Sequence, residues 1–174
     1  MSLLGQVHLI AAIAALAIGA LVLLTSPKGT RRHRQIGWTY TVAMLVLNVT
    51  ALMIYRLFGR FGPFHAAAIV SLVTLAWGVW CALQAKSSRR GRDLARRARW
   101  VNRHYYFMTW SYVGLWAAAV SEVATRVPAF RPGPGQGLAF GLTVAAATIL
   151  VVALGAWLIE ARRRQQLAEA GVRT

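Results

Sequence analysis

The sequence predicts an all-α, polytopic membrane protein: five transmembrane helices, forming a four-helix bundle core plus one peripheral C-terminal helix. Three observations lead there. Hydrophobic residues make up 57% of the 174 positions and the mean hydropathy is positive. They collect in five runs, 3–24, 36–57, 64–83, 105–123 and 138–159, each close to the ~20 residues that carry a helix across ~30 Å of hydrocarbon. The basic residues are gathered between those runs rather than spread through them. The whole of 1–174 reads as a single integral membrane domain.

The first run has no basic segment before it and no small-residue cleavage site, which predicts a retained helix rather than a signal peptide. Ala11, Ala15 and Gly19 recur every four residues along it, the spacing that lets helices approach closely. Pro27 and Gly29 end it, in a short basic loop over 26–35. The second run carries Asn48 at mid-membrane depth, expected as a hydrogen-bond donor to a neighbouring helix. A tight turn over 59–63 follows, with Pro63 suited to the first turn of the third helix.

After the third run comes a long basic loop, 85–103. Leu94, Ala98 and Val101 recur there at helical spacing among arginines, which predicts a short helix lying on the membrane surface. The fourth run holds Gly114 and Ala118, a second small-residue pair. Breakers over 131–137 precede the fifth run. Trp38, Tyr40, Trp100, Tyr105, Tyr106 and Trp110 cluster near one predicted interface and read as an aromatic belt.

A net charge of +16 would suit a nucleic-acid binder, but its distribution argues against nucleic acid as the partner. Of 20 Lys and Arg residues, four lie in Lys28–Arg34, eight in Lys86–Arg103, and four in the tail as Arg162, Arg163, Arg164 and Arg173. Five crossings put all sixteen on one side. The other side has only Arg56, Arg60, Arg126 and Arg131. That asymmetry predicts a multi-pass protein of the bacterial inner membrane, with the N-terminus outside and the C-terminus cytoplasmic. Anionic lipid headgroups are the expected partners of the basic loops.

Cys81 is alone, so disulfide frameworks, Cys-based metal knots and covalently attached haem are excluded. The four histidines carry the chemical signal. His8, His33, His65 and His104 each lie near the start of one of the first four runs, and the fifth run has none. Helix starts alternate sides, so His8 and His65 belong to the outer half and His33 and His104 to the cytoplasmic edge. Helices two apart in sequence lie diagonally across a four-helix core. Each pair could therefore supply the two axial ligands of a b-type haem, and two haems at two depths would relay electrons across the membrane. On this reading His65→Ala removes one haem and leaves the other.

The fourth run supplies a further candidate. His104 and Glu122 are 18 residues apart, five whole helical turns and ~27 Å along one face. Met108, Ser111, Leu115 and Ala118 lie between them on that stripe. The outer half could then hold His8, His65 and Glu122, a donor set for zinc, copper or another transition metal. The structural alternative for Glu122 is an ion pair with Arg126, four residues on. That for each histidine is a polar end-residue at the interface.

Several of these residues also carry a resemblance. His8-Leu9-Ile10, Gly19, Lys28-Gly29-Thr30, His33-Arg34 and Gly37-Trp38-Thr39-Tyr40 resemble a bacterial family of predicted membrane proteins, domain of unknown function 2306. The likeness extends through Met44 and Ser71-Leu72 to Gly78, with His104, Met108, Ser111-Tyr112 and Glu122 as a further motif. It implies the membrane fold and leaves the activity open. The paired histidines on alternate helices also resemble, in architecture, the di-haem transmembrane b-type cytochromes reducible by ascorbate. That likeness implies haem b held by His8 with His65 and by His33 with His104. Here His33 stands in the loop before its helix, between arginines, and no ascorbate-site signature is present.

The leading functional expectation is thus a small transmembrane electron carrier taking electrons from a quinol or ascorbate-like donor, with Arg32, Arg34 and Arg103 facing haem propionates or an anionic donor. A haem-free zinc or copper site, or a membrane hydrolase using His8, His65 and Glu122, is the second. No serine has an assigned histidine neighbour for a nucleophilic mechanism. A non-catalytic scaffold or lipid-binding protein is the third.

Overall fold

In a computed structural model that describes residues 2–24, 28–54, 61–90, 93–126 and 137–171, every regular element is an α-helix. They are α1 (Leu3–Leu24), α2 (Arg31–Met53), α3 (Pro63–Arg90), α4 (Leu94–Arg126) and α5 (Gly137–Gly171). Four of them, all but α4, are long and apolar enough to cross a membrane by length and composition. The fourth is longer still, at 33 residues, but its Tyr, Trp, Ser and Thr side chains and Glu122 dilute its apolar run. The chain is an all-α polytopic membrane protein.

The first helix has the expected bounds. The others run past their apolar segments, α2 at its start only since it closes at Met53 with Ile54 as C-cap, because hydropathy marks only the part facing lipid while Arg, Ala, Gln and Lys continue a helix equally well. The second begins at Arg31 rather than 36 because Thr30 caps it. Thr30 is extended (φ −70°, ψ 170°) and its hydroxyl accepts from the His33 N–H at 3.2 Å. His33 is therefore helical and not in a loop. Just before, Gly29 takes φ +78°, a left-handed conformation that glycine adopts without strain. Lys28 reaches back, its Nζ donating to the Val22 and Leu23 carbonyls at 2.8 and 2.7 Å, and closes the C-terminus of α1.

The surface-lying helix expected around Leu94–Val101 is instead the first part of α4. Asp93 starts it: its carboxylate accepts from the Arg96 N–H at 2.8 Å and its carbonyl from the Arg97 N–H at 3.0 Å. No breaker separates Trp100 from Tyr105, so the helix continues straight into the apolar run. The expected positions 55–57, Arg56, Arg60, Pro27, Arg131 and the breakers 131–136 lie outside the described residues, as do the side chains of Arg126, Arg162, Arg163 and Arg164.

The chain divides into two compact units, Met1–Leu115 and Trp116–Thr174. The first holds α1, α2, α3 and the larger part of α4, packed around Ala11, Ala15, Tyr40, Met44, Leu47, Leu75 and Leu115. In the second, Ser121 of α4 is buried and bonds Thr148 of α5, hydroxyl to hydroxyl at 3.1 Å, with the Val144 carbonyl at 3.4 Å. Large apolar side chains such as Ile10, Val70, Val73, Ile149, Leu150 and Trp157 stay exposed, as lipid-facing positions do.

The small-residue stripe of α1 is a packing seam: Ala11, Ala15 and Gly19 are all buried. A methyl group added at Gly19 would meet the Tyr112 ring edge and the Tyr40 ring. The second expected stripe is not one. Gly114 is exposed, with open space where a side chain would stand; Leu115 and Ala117 are the buried neighbours. Asn48 also departs from expectation. It is buried, but its Nδ2 donates to the Met44 carbonyl of its own helix at 2.7 Å rather than across to another.

Candidate functional site

The centre of the first unit is polar and aromatic. Tyr40 is 1% exposed and so belongs to the core rather than to an interfacial belt. Its hydroxyl lies 3.0 Å from the Ser111 Oγ, itself buried. Tyr112 stands edge-on to Tyr40, centroids 6.4 Å apart, and donates its hydroxyl to the Leu16 carbonyl at 3.0 Å. Three helices are tied at this level: α1 through Leu16 and Gly19, α2 through Tyr40, α4 through Ser111 and Tyr112. Of the belt residues, Trp38, Tyr105 and Tyr106 are exposed as expected, and Trp100 stacks under the Arg103 guanidinium at 4.9 Å.

This layer sets the depth of two histidines. Tyr40 and Ser111 are 71 residues apart, and so are His33 and His104 (104 − 33 = 71). Each histidine precedes its helix's member of the polar pair by seven residues, since 40 − 33 and 111 − 104 are both 7. Seven residues are within about 20° of two helical turns and about 10.5 Å of rise. His33 and His104 therefore share one level and one facing direction on two parallel helices. They lie near enough for His104 to act on His33 electrostatically, as Lys28 also does.

The hydrogen-bond partners decide which nitrogen of each ring can serve as a ligand. His104 Nδ1 lies 2.8 Å from the Gly78 carbonyl, which can only accept. The proton is on Nδ1, and Nε2 carries the lone pair. This is the backbone anchoring common behind metal-bound imidazoles. Gly78 also admits Met108 closely, the sulfur falling 2.7 Å from where a Cβ would stand. His33 is held through its backbone by Thr30, and its Nδ1 is buried with no hydrogen-bond partner among the described residues. A second such buried atom on α4 is the Trp110 Nε1.

The two outer histidines are placed differently from one another. His8 Nδ1 lies 3.0 Å from the Thr50 Oγ1. Thr50 has one hydroxyl proton, already directed at the Val46 and Leu47 carbonyls at 2.8 and 2.9 Å. His8 is thus the donor, and its Nε2 carries the lone pair. His65 is 3% exposed and does the reverse: its Nδ1 accepts from the Gly62 N–H at 3.2 Å. Gly62 is the N-cap, Pro63 opens the helix and His65 is its third residue. This is capping-box geometry with imidazole in place of the usual carboxylate or amide. Phe61 packs on the His65 ring at 5.3 Å between centroids.

Tested against haem b, the donor set fits at the His33–His104 level. One ring is oriented by a backbone carbonyl with Nε2 available, and the other holds a buried nitrogen with no hydrogen-bond partner among the described residues. It fits poorly at His65, where ligation through Nε2 would require the proton to move to Nδ1 and the helix cap to break. Glu122 is half-buried in the second unit. Among the described residues, no three of His, Cys, Asp and Glu are grouped so as to hold a metal ion. Ser111 and Ser121 have hydroxyl partners, Tyr40 and Thr148.

Thr50, Gly78, Tyr40 and Ser111 were not singled out as site residues by sequence reasoning. Each matters through a partner on another helix, and no local pattern encodes that. Only His65 had a readable signal, in Gly62-Pro63 followed two residues later by a side-chain acceptor.

No curated protein and no solved structure is matched by the chain. A family model does match, over residues 5–161, a stretch that includes all four histidines and reaches into all five helices. The chain belongs to the family described as predicted membrane protein, domain of unknown function 2306.

Proposed function

We propose that the protein is a small b-type cytochrome-like electron carrier of the bacterial inner membrane, with one axial-ligand pair, His33 and His104, at the basic end of its bundle. The observation that carries this reading is the shared level of the two rings on parallel helices, with the His104 Nδ1–H anchored on the Gly78 carbonyl. Two imidazoles are the ligand count a b-type haem requires, and such a group supplies one-electron chemistry at a potential set by its ligands and surroundings. The Gly78 bond fixes the tautomer and ring plane of His104 and raises the basicity of Nε2. Thr30 fixes the helical turn that carries His33. Arg32, Arg34 and Arg103 put positive charge at the same end, suited to propionates or an anionic donor. A quinol is the proposed electron source.

The outer pair is left out of the proposal because the His65 Nδ1 already serves the α3 cap. The orientation follows from charge: if all five helices cross, the sixteen basic residues at one end face the cytoplasm and the N-terminus lies outside. At 33 residues and ~1.5 Å per residue, α4 is long enough for its crossing.

The test is an oxidised-versus-reduced visible spectrum of protein purified from haem-replete cells, with iron, zinc and copper measured on the same sample. Sharp α and Soret bands with about one iron per chain are expected, lost in His33→Ala and His104→Ala. Two irons per chain would restore the two-pair arrangement. Stoichiometric zinc or copper without haem would favour a haem-free metal protein instead. Neither cofactor would leave a scaffold or lipid-binding protein.

A further inference from the structure

On the α2–α3 face of the first unit runs an apolar groove of about 330 Å³. Thr41 and Leu45 of α2 form one wall and Leu72, Ala76, Val79 and Leu83 of α3 the other. Thr41 adds no free polar group, because its hydroxyl donates to the Gly37 carbonyl of its own helix at 2.9 Å. From Leu72 to Leu83 the groove spans 11 residues, about 17 Å at the helical rise. Half of a ~30 Å hydrocarbon core, the depth reached by the chains of one leaflet, is about 15 Å. The α3 wall is thus as long as one acyl chain, with the shorter α2 wall of Thr41 and Leu45 beside it, and both helices are long and apolar enough to cross a membrane.

Its two walls continue towards the basic end. Arg34 lies seven residues before Thr41, hence on the same stripe of α2, and Lys86 lies seven after Val79 on the same stripe of α3. Both are exposed. Between groove and charge on α2 lies Trp38, on the Leu45 stripe, while on α3 Trp80 lines the groove itself near its Leu83 end; each is about half exposed (55% and 51%). No Cβ narrows the way at Gly37, where a side chain would meet nothing within 4 Å. Apolar wall, indole collar and paired cations follow in the order of a phospholipid's own chain, glycerol region and phosphate.

We infer that this groove is a specific site for one anionic phospholipid, an acyl chain lying between α2 and α3 and the phosphate held by Arg34 and Lys86. None of these residues is a proposed axial ligand; Arg34 is shared with the arginines given above to propionates or an anionic donor, so the test reads lipid retention and not haem content. The alternative occupants of such a face are a second copy of the chain or bulk lipid of any charge.

The test is native mass spectrometry of the detergent-purified full chain, titrated with phosphatidylglycerol and, separately, phosphatidylcholine. One phosphatidylglycerol per chain should be retained, with about tenfold preference over phosphatidylcholine. The double variant Arg34→Gln/Lys86→Gln should lose the preference while keeping its fold by circular dichroism. Ala76→Phe, at an exposed position where the ring fills the groove, should lose bound lipid of both kinds. Equal retention of the two lipids by the native chain would overturn the inference. So would undiminished retention by Ala76→Phe, which would put the lipid elsewhere, or a lipid-free dimer that Ala76→Phe disrupts.

Discussion

Tyr40 of α2 and Ser111 of α4 meet hydroxyl to hydroxyl at 3.0 Å in the buried centre of the first unit, and two turns earlier on the same helices stand His33 and His104. The polar pair therefore does more than satisfy two hydroxyls. It fixes the register and facing of the helices that bring the histidines to one level. A slip of one residue on either helix would turn its histidine by about 100° and end the pairing.

That role predicts coupled losses. Tyr40→Phe and Ser111→Ala should each destabilise the protein mildly, and the double variant by less than the sum. A double-mutant cycle in a denaturant titration should return a coupling of about 0.6 kcal/mol, the usual worth of such bonds between membrane helices. Strict additivity would mean that the two hydroxyls find equal partners elsewhere.

Gly19 and Gly78 are both close-approach positions but should respond differently. At Gly19 an added methyl meets the Tyr112 ring, which its bond to Leu16 and its edge contact with Tyr40 hold in place. Gly19→Ala should cost about 1–3 kcal/mol through overpacking. At Gly78 the obstacle is the Met108 thioether, which has rotamers to spare. Gly78→Ala should cost less than about 1 kcal/mol, partly offset by helix propensity. Thermal unfolding of the two variants side by side checks the order.

The contrast shows which features could be read from the chain. The first helix and the Ala11, Ala15, Gly19 seam were legible because both are repeats within one element. The early start of α2 and the merging of the 94–101 segment into α4 were not, because hydropathy is blind to helix that lies outside lipid. Caps decide those starts, and Thr30 and Asp93 are visible once caps are sought. The histidines themselves stand out in the sequence near the starts of the first four runs. Their partners do not: Thr50 is 42 residues from His8, and Gly78 is 26 from His104. Backbone carbonyls are present at every position and mark none.

Thr30 should connect stability to the site. Its hydroxyl caps the turn that presents His33, so Thr30→Ala should cost about 1 kcal/mol, the ordinary worth of an N-cap. If His33 ligates, the frayed turn should also weaken haem retention, seen as faster haem loss to apomyoglobin. Thr30→Ser, which keeps the cap oxygen, should restore both. Rescue of stability without rescue of retention would separate the cap from the site.

His65 offers the sharpest separation of a structural histidine from a ligand. Its Nδ1 accepts from the Gly62 N–H, as a glutamine oxygen does at the third residue of a capping box. His65→Ala should lose that bond and cost about 0.5–2 kcal/mol. His65→Gln should recover most of it, because the amide oxygen can accept from the same N–H. A glutamine cannot replace imidazole as an axial ligand of low-spin haem, so an outer haem would be lost in both variants. The expected result is that His65→Gln unfolds near the native temperature with its full haem complement and unchanged α band. Loss of half the haem in His65→Gln would return His65 to the ligand set and, with it, the second pair through His8.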